Sequence, residues 1–158
     1  MLKDLELADS TPPWFSDVKP KPLYKSPDAE AYWDVPVYAD HTYVQSNRVD
    51  ARFIDHKNKK VLMVEMSCPW INNRDKKDKE KTKKYGALRL ELTKQHPGYK
   101  ISQVNVIIDV LRGWSKAMET EMKGIFGTRY KEILLRMQKA VLVQPNLDAD
   151  VDECVLSR

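Results

Sequence analysis

Two short runs constrain this chain more than anything else in it. DARFID (50–55) and VLMVEM (61–66) are rich in β-branched, aromatic and apolar residues, and they flank the polar tetrapeptide His56-Lys57-Asn58-Lys59. Such runs around four turn-forming residues predict a β-hairpin. VLMV is continuously apolar, as expected of a central strand buried on both faces. If His56–Lys59 form a four-residue loop, Asp55 faces Lys60, paired positions sum to 115, and Asp50 lies directly opposite Glu65. Cross-strand partners have Cβ atoms about 4.5–5.5 Å apart. Two carboxylates that close repel, unless one holds a proton or a cation sits between them. A loop one residue longer or shorter breaks this register, and the pair is then two solvated acids at strand ends.

Other elements are read around this hairpin. Residues 1–27 hold five of the nine prolines and little periodicity, which predicts an extended arm pinned by Trp14 and Phe15. Ser26 or Asp28 is placed to cap a short helix through Ala29, Glu30 and Tyr32. VPVYADHTYV (35–44) reads as a strand. Asp75 to Lys94 reads as one charged helix whose apolar stripe is Tyr85, Leu88 and Leu92, ended by His96-Pro97-Gly98. YKISQVNVIID (99–109) is a further strand, and amphipathic helices are expected near 115–126 and 128–143, separated by Gly127. The tail, DADVDECV, is acidic and expected to fray. This order predicts an α/β fold, a central mixed sheet with flanking helices and C-terminal helices. Its parts are an arm (1–27), a core (28–110), a helical extension (111–144) and an acidic tail (145–158).

Composition narrows the chemistry. The 158 residues are 42% hydrophobic and 32% charged, too apolar for a disordered chain. No run approaches the ~18–20 apolar residues of a membrane-spanning helix, and MLKDLELADS has no apolar secretory core, so an intracellular protein is expected. Cys68 and Cys154 cannot build a four-cysteine zinc site, and Cys68 beside Pro69 and Trp70 reads as a structural thiol. His41, His56 and His96 lack metal-ligand spacing, and five glycines form no phosphate-binding loop. The formal charge of +4 favours a polyanionic partner. Between Arg74 and Lys84 lie seven basic residues and three acids, so this stretch is either a phosphate-contacting surface or a solvated helix face.

On the helical wheel Lys81 falls in the middle of the Tyr85–Leu88–Leu92 stripe, with Lys84 at its edge. A lysine facing inward needs an anionic partner, and the nearest acids by topology are Asp50 and Glu65. The alternative is a lysine whose stem packs while its head reaches water.

Taken together, Arg48-Val49-Asp50, fourteen intervening residues, Glu65, and Lys81-x-x-Lys84-Tyr85 resemble the restriction-like endonuclease domain of site-specific non-LTR retrotransposon polyproteins. That family belongs to the PD-(D/E)xK nuclease superfamily. The likeness extends from Tyr32-Trp33-Asp34-Val35-Pro36 to Asp109, including Glu65-Met66-Ser67-Cys68-Pro69-Trp70 and His96-Pro97-Gly98-Tyr99. It implies a restriction-endonuclease-like core and hydrolysis of DNA phosphodiesters, nicking a target for element insertion. Asp50 and Glu65 would hold magnesium or manganese, and Lys81 would be the catalytic lysine. Lys84, Tyr85 and Ser67 would support them, and Arg48, Arg74, Lys76 and Lys77 would contact the DNA backbone. Partners implied are DNA, and element RNA or a reverse transcriptase module, in the nucleus. Val49 departs from the family's proline, and Ser67 stands where the simpler motif has its lysine, so Lys81 must supply that charge. From another class comes the alternative of a catalytically silent nucleic-acid-binding or protein-docking module.

Overall fold

A computed structural model describes residues 1–9, 18, 21–69, 73–109 and 113–143. The fold is mixed α/β, built on a five-stranded mixed sheet. Its strands are β1 (Leu23–Lys25), β2 (Ala29–Trp33), β3 (Ala51–Asp55), β4 (Lys60–Ser67) and β5 (Lys100–Ile107), adjacent in that order. The first three pairings are antiparallel. Along β5 the Lys100 N–H donates to the Lys59 carbonyl and the Ile108 N–H to the Ser67 carbonyl. That constant offset marks β5 as parallel to β4, which requires a crossover. Helices α1 (Arg74–Lys84) and α2 (Gly86–Gln95) supply it; α3 (Lys116–Phe126) and α4 (Tyr130–Val143) follow β5. The chain divides into two compact units. One comprises Met1–Glu65 with Lys81–Val104, the other Met66–Glu80 with Asn105–Arg158.

The first unit has two apolar clusters, one for each face of the sheet. Ile54, Val61 and Met63 pack with Tyr85, Leu88 and Leu92. Ala31, Ala51 and Phe53 pack with Leu62, Val64, Trp33 and the N-terminal Leu2, Leu5 and Leu7. Alternate residues of β4 therefore enter opposite clusters, as the two-residue period of a strand demands. Burying both faces is what the VLMV run predicts. In the second unit, Met118 and Met122 of α3 and Leu134 of α4 are buried, and the Ser115 side chain caps α3 by accepting from the Met118 N–H.

Four local expectations are corrected. Ala29 to Trp33 form a strand, not a helix. The Ser26 N–H donates to the Ala29 carbonyl, closing a turn with Pro27 at its second position, and the Ser26 hydroxyl accepts from the Ala29 N–H. Ser-Pro-Asp suits a helix cap and a tight turn alike, and strand pairing on both sides decides for the turn. The stretch 35–44 is irregular, and the backbone donors of Asp40 and His41 in it are taken by a side chain. The buried Glu91 carboxylate accepts from the Asp40 N–H at 2.9 Å, the His41 N–H at 3.2 Å and the His41 ring at 3.1 Å. Gln95 adds a bond to Glu91 and one to the Tyr38 carbonyl, both at 2.7 Å. The 75–94 helix is two helices, broken at Tyr85. The N-terminal arm is not uniformly extended: Met1 to Leu7 make backbone turns, with the Leu5 N–H donating to the Met1 carbonyl. The anchoring by Trp14 and Phe15 and the acidic tail lie outside the described residues.

Burial pushes the Glu91 carboxyl up, but the bonds from Asp40, His41 and Gln95 outweigh it and hold its pKa at about 2. The stabilisation is present above the free value of 4.5 and is lost as pH falls toward about 2. Glu91→Gln should therefore lower the urea midpoint at pH 7. That deficit should narrow in melts at successively lower pH across this interval, as the wild-type carboxyl protonates.

Candidate functional site

The β3–β4 hairpin has the register that the four-residue loop predicts. Asp55 pairs with Lys60 and Ala51 with Val64, so the next pair outward is Asp50 with Glu65. The turn is fixed by Asp55, whose carboxylate accepts from the Asn58 N–H at 2.9 Å and from its amide at 2.7 Å. Lys59 closes the turn with φ of +51°. At the other end, the Asp50 carbonyl accepts from the Asp34 N–H at 2.9 Å. The Asp50 N–H donates to Glu65 Oε2 at 3.4 Å. The backbone of Asp50 is thus tied on both sides, to Asp34 and to the acid opposite.

Glu65 continues the Val61–Met63 side of β4, and it is only 5% exposed. A carboxylate there must be paired or lose its charge. Lys81 Nζ donates to Glu65 Oε1 at 2.6 Å, with the lysine side chain 21% exposed. Tyr85, 2% exposed, hydrogen-bonds Glu65 as well. Burial, followed by the charges of Glu65 and Asp50, raises the Tyr85 pKa, so its phenol stays protonated and remains a donor. Lys84 lies with its Nζ 4.9 Å from the centre of the Tyr85 ring. Asp50, Glu65, Lys81 and Tyr85 therefore form one connected cluster.

The break between α1 and α2 positions Lys81. The i to i−4 ladder survives across it: the Tyr85 N–H donates to the Lys81 carbonyl at 3.2 Å, and the Arg89 N–H to the Tyr85 carbonyl at 3.0 Å. The interrupted turn is completed by side chains. Arg89 Nη1 donates to the Thr82 carbonyl at 3.0 Å, and Gln103 Nε2 to the Lys81 carbonyl at 3.2 Å. Arg89 also donates to the Gln103 side chain. The end of α1 is thereby fastened to β5. Sequence reasoning missed this pair; its only signal was a long polar side chain at the matching turn of α2. Glu91 was missed too, although it lies three residues after Leu88 on the buried side of that helix.

The remaining expected site residues are placed differently. Ser67 ends β4, where its carbonyl serves the β5 ladder. Arg48 is exposed and lies 3.5 Å from Asp34. In the second unit, Arg74 Nε lies 3.2 Å from the fully buried Asp109 carboxylate, so this guanidinium has a structural duty. Lys76 and Lys77 lie 4.0 and 3.6 Å from Glu80 on their own helix. Asn105 donates to Asp78 at 2.8 Å. Much of the basic run on α1 is locally engaged. Among the described residues no group of three or more His, Cys, Asp or Glu side chains is arranged to hold a metal, and no helix is long and apolar enough to cross a membrane.

Comparison of the chain with protein families, curated proteins and solved structures finds no match.

Removing the Lys81 ammonium leaves a buried carboxylate without its counter-charge. Lys81→Met should cost about 3 kcal/mol, the low end of the range for breaking buried pairs because the lysine is partly exposed. Adding Glu65→Gln should recover most of that loss. Urea denaturation around the double-mutant cycle measures both steps.

Proposed function

We propose that this chain is a divalent-metal-dependent DNA endonuclease domain of retrotransposon origin, with a restriction-endonuclease-like core that hydrolyses phosphodiesters. One observation carries the reading. Asp50 follows the hairpin register outward to Glu65, its N–H donates to Glu65 Oε2 at 3.4 Å, and Lys81 reaches Glu65 from the following helix at 2.6 Å.

The donors suit a hard cation. Magnesium takes oxygen ligands and is commonly held by one or two carboxylates, with water and substrate phosphate completing its shell. Asp50 and Glu65 would hold it. When bound, the ion supplies a more acidic water and a polarised phosphate. The protein's own groups do the rest. Tyr85, kept protonated, and the Asp50 N–H orient the Glu65 carboxylate. Lys81 neutralises Glu65 and stands ready to offset the charge that develops on a pentacoordinate phosphate. The Arg89–Gln103 link holds the backbone from which Lys81 extends. The substrate under this reading is DNA, and phosphate contacts by exposed Lys and Arg would make its binding salt-sensitive without reading sequence.

A silent nucleic-acid-binding or docking module on the same fold has one observation in its favour. Glu65 is already neutralised by Lys81, and no third metal-binding side chain accompanies the two acids among the described residues.

Supercoiled-plasmid nicking with magnesium separates the two. Asp50→Asn and Lys81→Met should each lower the nicking rate by about 100-fold or more. Lys81→Met with Glu65→Gln should regain stability but not nicking. Manganese titrated calorimetrically should bind the wild type and not Asp50→Asn. No manganese binding, or nicking unchanged in both single variants, rejects the nuclease.

A further inference from the structure

The turn end of the hairpin carries a second charged feature, far along the strands from Asp50 and Glu65. Lys57 and Lys59 sit in the turn, Lys60 opens β4, and Lys100 opens β5; all four are exposed. The bond from the Lys100 N–H to the Lys59 carbonyl, 2.8 Å, brings the β5 lysine beside the turn. Like charges on neighbouring strands destabilise a sheet. Even so, among the described residues none of the four makes an ion pair. The nearest acid, Asp55, lies opposite Lys60 and feels its charge, but both its oxygens are engaged by Asn58, so it does not close an ion pair with the group. Lys59 also adopts a left-handed φ of +51°, uncommon for a residue with a long side chain. The backbone that carries these lysines is held by a well-bonded turn and the Lys100–Lys59 bond, whereas the lysines of α1 include two beside Glu80.

We propose that Lys57, Lys59, Lys60 and Lys100 form a phosphate-contacting surface for duplex DNA. The choice of DNA rests on the nuclease reading. Glu65 lies five strand steps beyond Lys60, about 17 Å. B-DNA rises about 3.4 Å per step of one strand, so a duplex lying along the hairpin meets the lysines roughly five base pairs from the bond at Asp50 and Glu65. Contacts of this kind bind and orient without reading sequence.

The test is fluorescence anisotropy of a labelled 30-base-pair duplex at increasing salt, using the full chain. The comparison variant is Lys57→Gln, Lys59→Asn, Lys60→Gln and Lys100→Gln together, asparagine being chosen for its tolerance of positive φ. Four lost phosphate contacts should make the slope of log K against log salt shallower by about 3–4. Affinity at 0.1 M salt should fall at least 10-fold. The pair Lys57→Gln and Lys100→Gln should give about half the change in slope, which guards against misfolding of the fourfold variant. Slopes unchanged in both variants overturn the proposal, as does wild-type binding to phosphatidylserine vesicles but not to the duplex. The nuclease reading is judged separately. Slopes that fall in a protein that never nicks keep this surface and remove the catalysis, whereas nicking with unchanged slopes does the reverse.

Discussion

A carboxylate buried at the end of a strand has to be neutralised where it stands, and here Lys81 does it. Glu65 is 5% exposed and its counter-charge sits 2.6 Å away. Desolvating both groups is expensive, so the pair survives only where further bonds hold it in good geometry. Those bonds come from Tyr85 and from the Asp50 amide. The requirement propagates outward. Lys81 reaches Glu65 only if α1 ends in the right place, which the Arg89–Gln103 link to the Lys81 and Thr82 carbonyls secures. Tyr85, Leu88 and Leu92 then cover Val61 and Met63. One charge requirement thus connects the strand, the helix break and the apolar face.

The hairpin was legible because its information is local. Four polar residues set the loop, a two-residue period sets the faces, and Asp50 opposite Glu65 follows by counting. The inward placement of Lys81 was legible although the single helix was not. The helical ladder continues through Tyr85, so the wheel keeps its phase across the break. The failures are the non-local cases. Glu91 takes the amides of Asp40 and His41 from fifty residues away, within the stretch 35–44 where the sequence predicts a strand. Ser26-Pro27-Asp28 makes the same local bonds in a turn as at a helix start, and only pairing with neighbours separates the two. Arg74 read as a surface cation because nothing in the sequence says that Asp109, thirty-five residues on, is buried beside it.

These placements change how the charge of the chain is read. By count, the stretch from Arg74 to Lys84 holds an excess of four positive charges, equal to the formal excess of the whole sequence. In the folded chain Lys81 belongs to Glu65, Arg74 to Asp109, and Lys76 and Lys77 lie beside Glu80. The run is therefore partly spent on structure. The smaller group at the hairpin turn makes no ion pair among the described residues, although Lys60 lies opposite Asp55 and helps to lower its pKa, and its lysines are brought together from two separate strands. Proximity in the fold, rather than density in the sequence, marks a surface available to an anion.

The balance of charge in the Asp50–Glu65–Lys81 cluster bears directly on whether it can act on a phosphodiester. Two carboxylates and one ammonium leave one negative charge in excess, so the bare cluster repels a phosphate. A divalent cation would convert that into one positive charge in excess, which a single phosphodiester offsets. Under the nuclease reading, substrate affinity at this point is therefore conditional on the ion, while the distant lysines attract the duplex regardless. Without Lys81 the pair of acids would compensate the ion fully and leave nothing for the substrate. With lysine in place of either acid, the cluster would attract phosphate but lose half its cation donors. Under the nuclease reading, two acids and one lysine would form the smallest of these sets to hold a divalent ion and still favour the phosphate beside it.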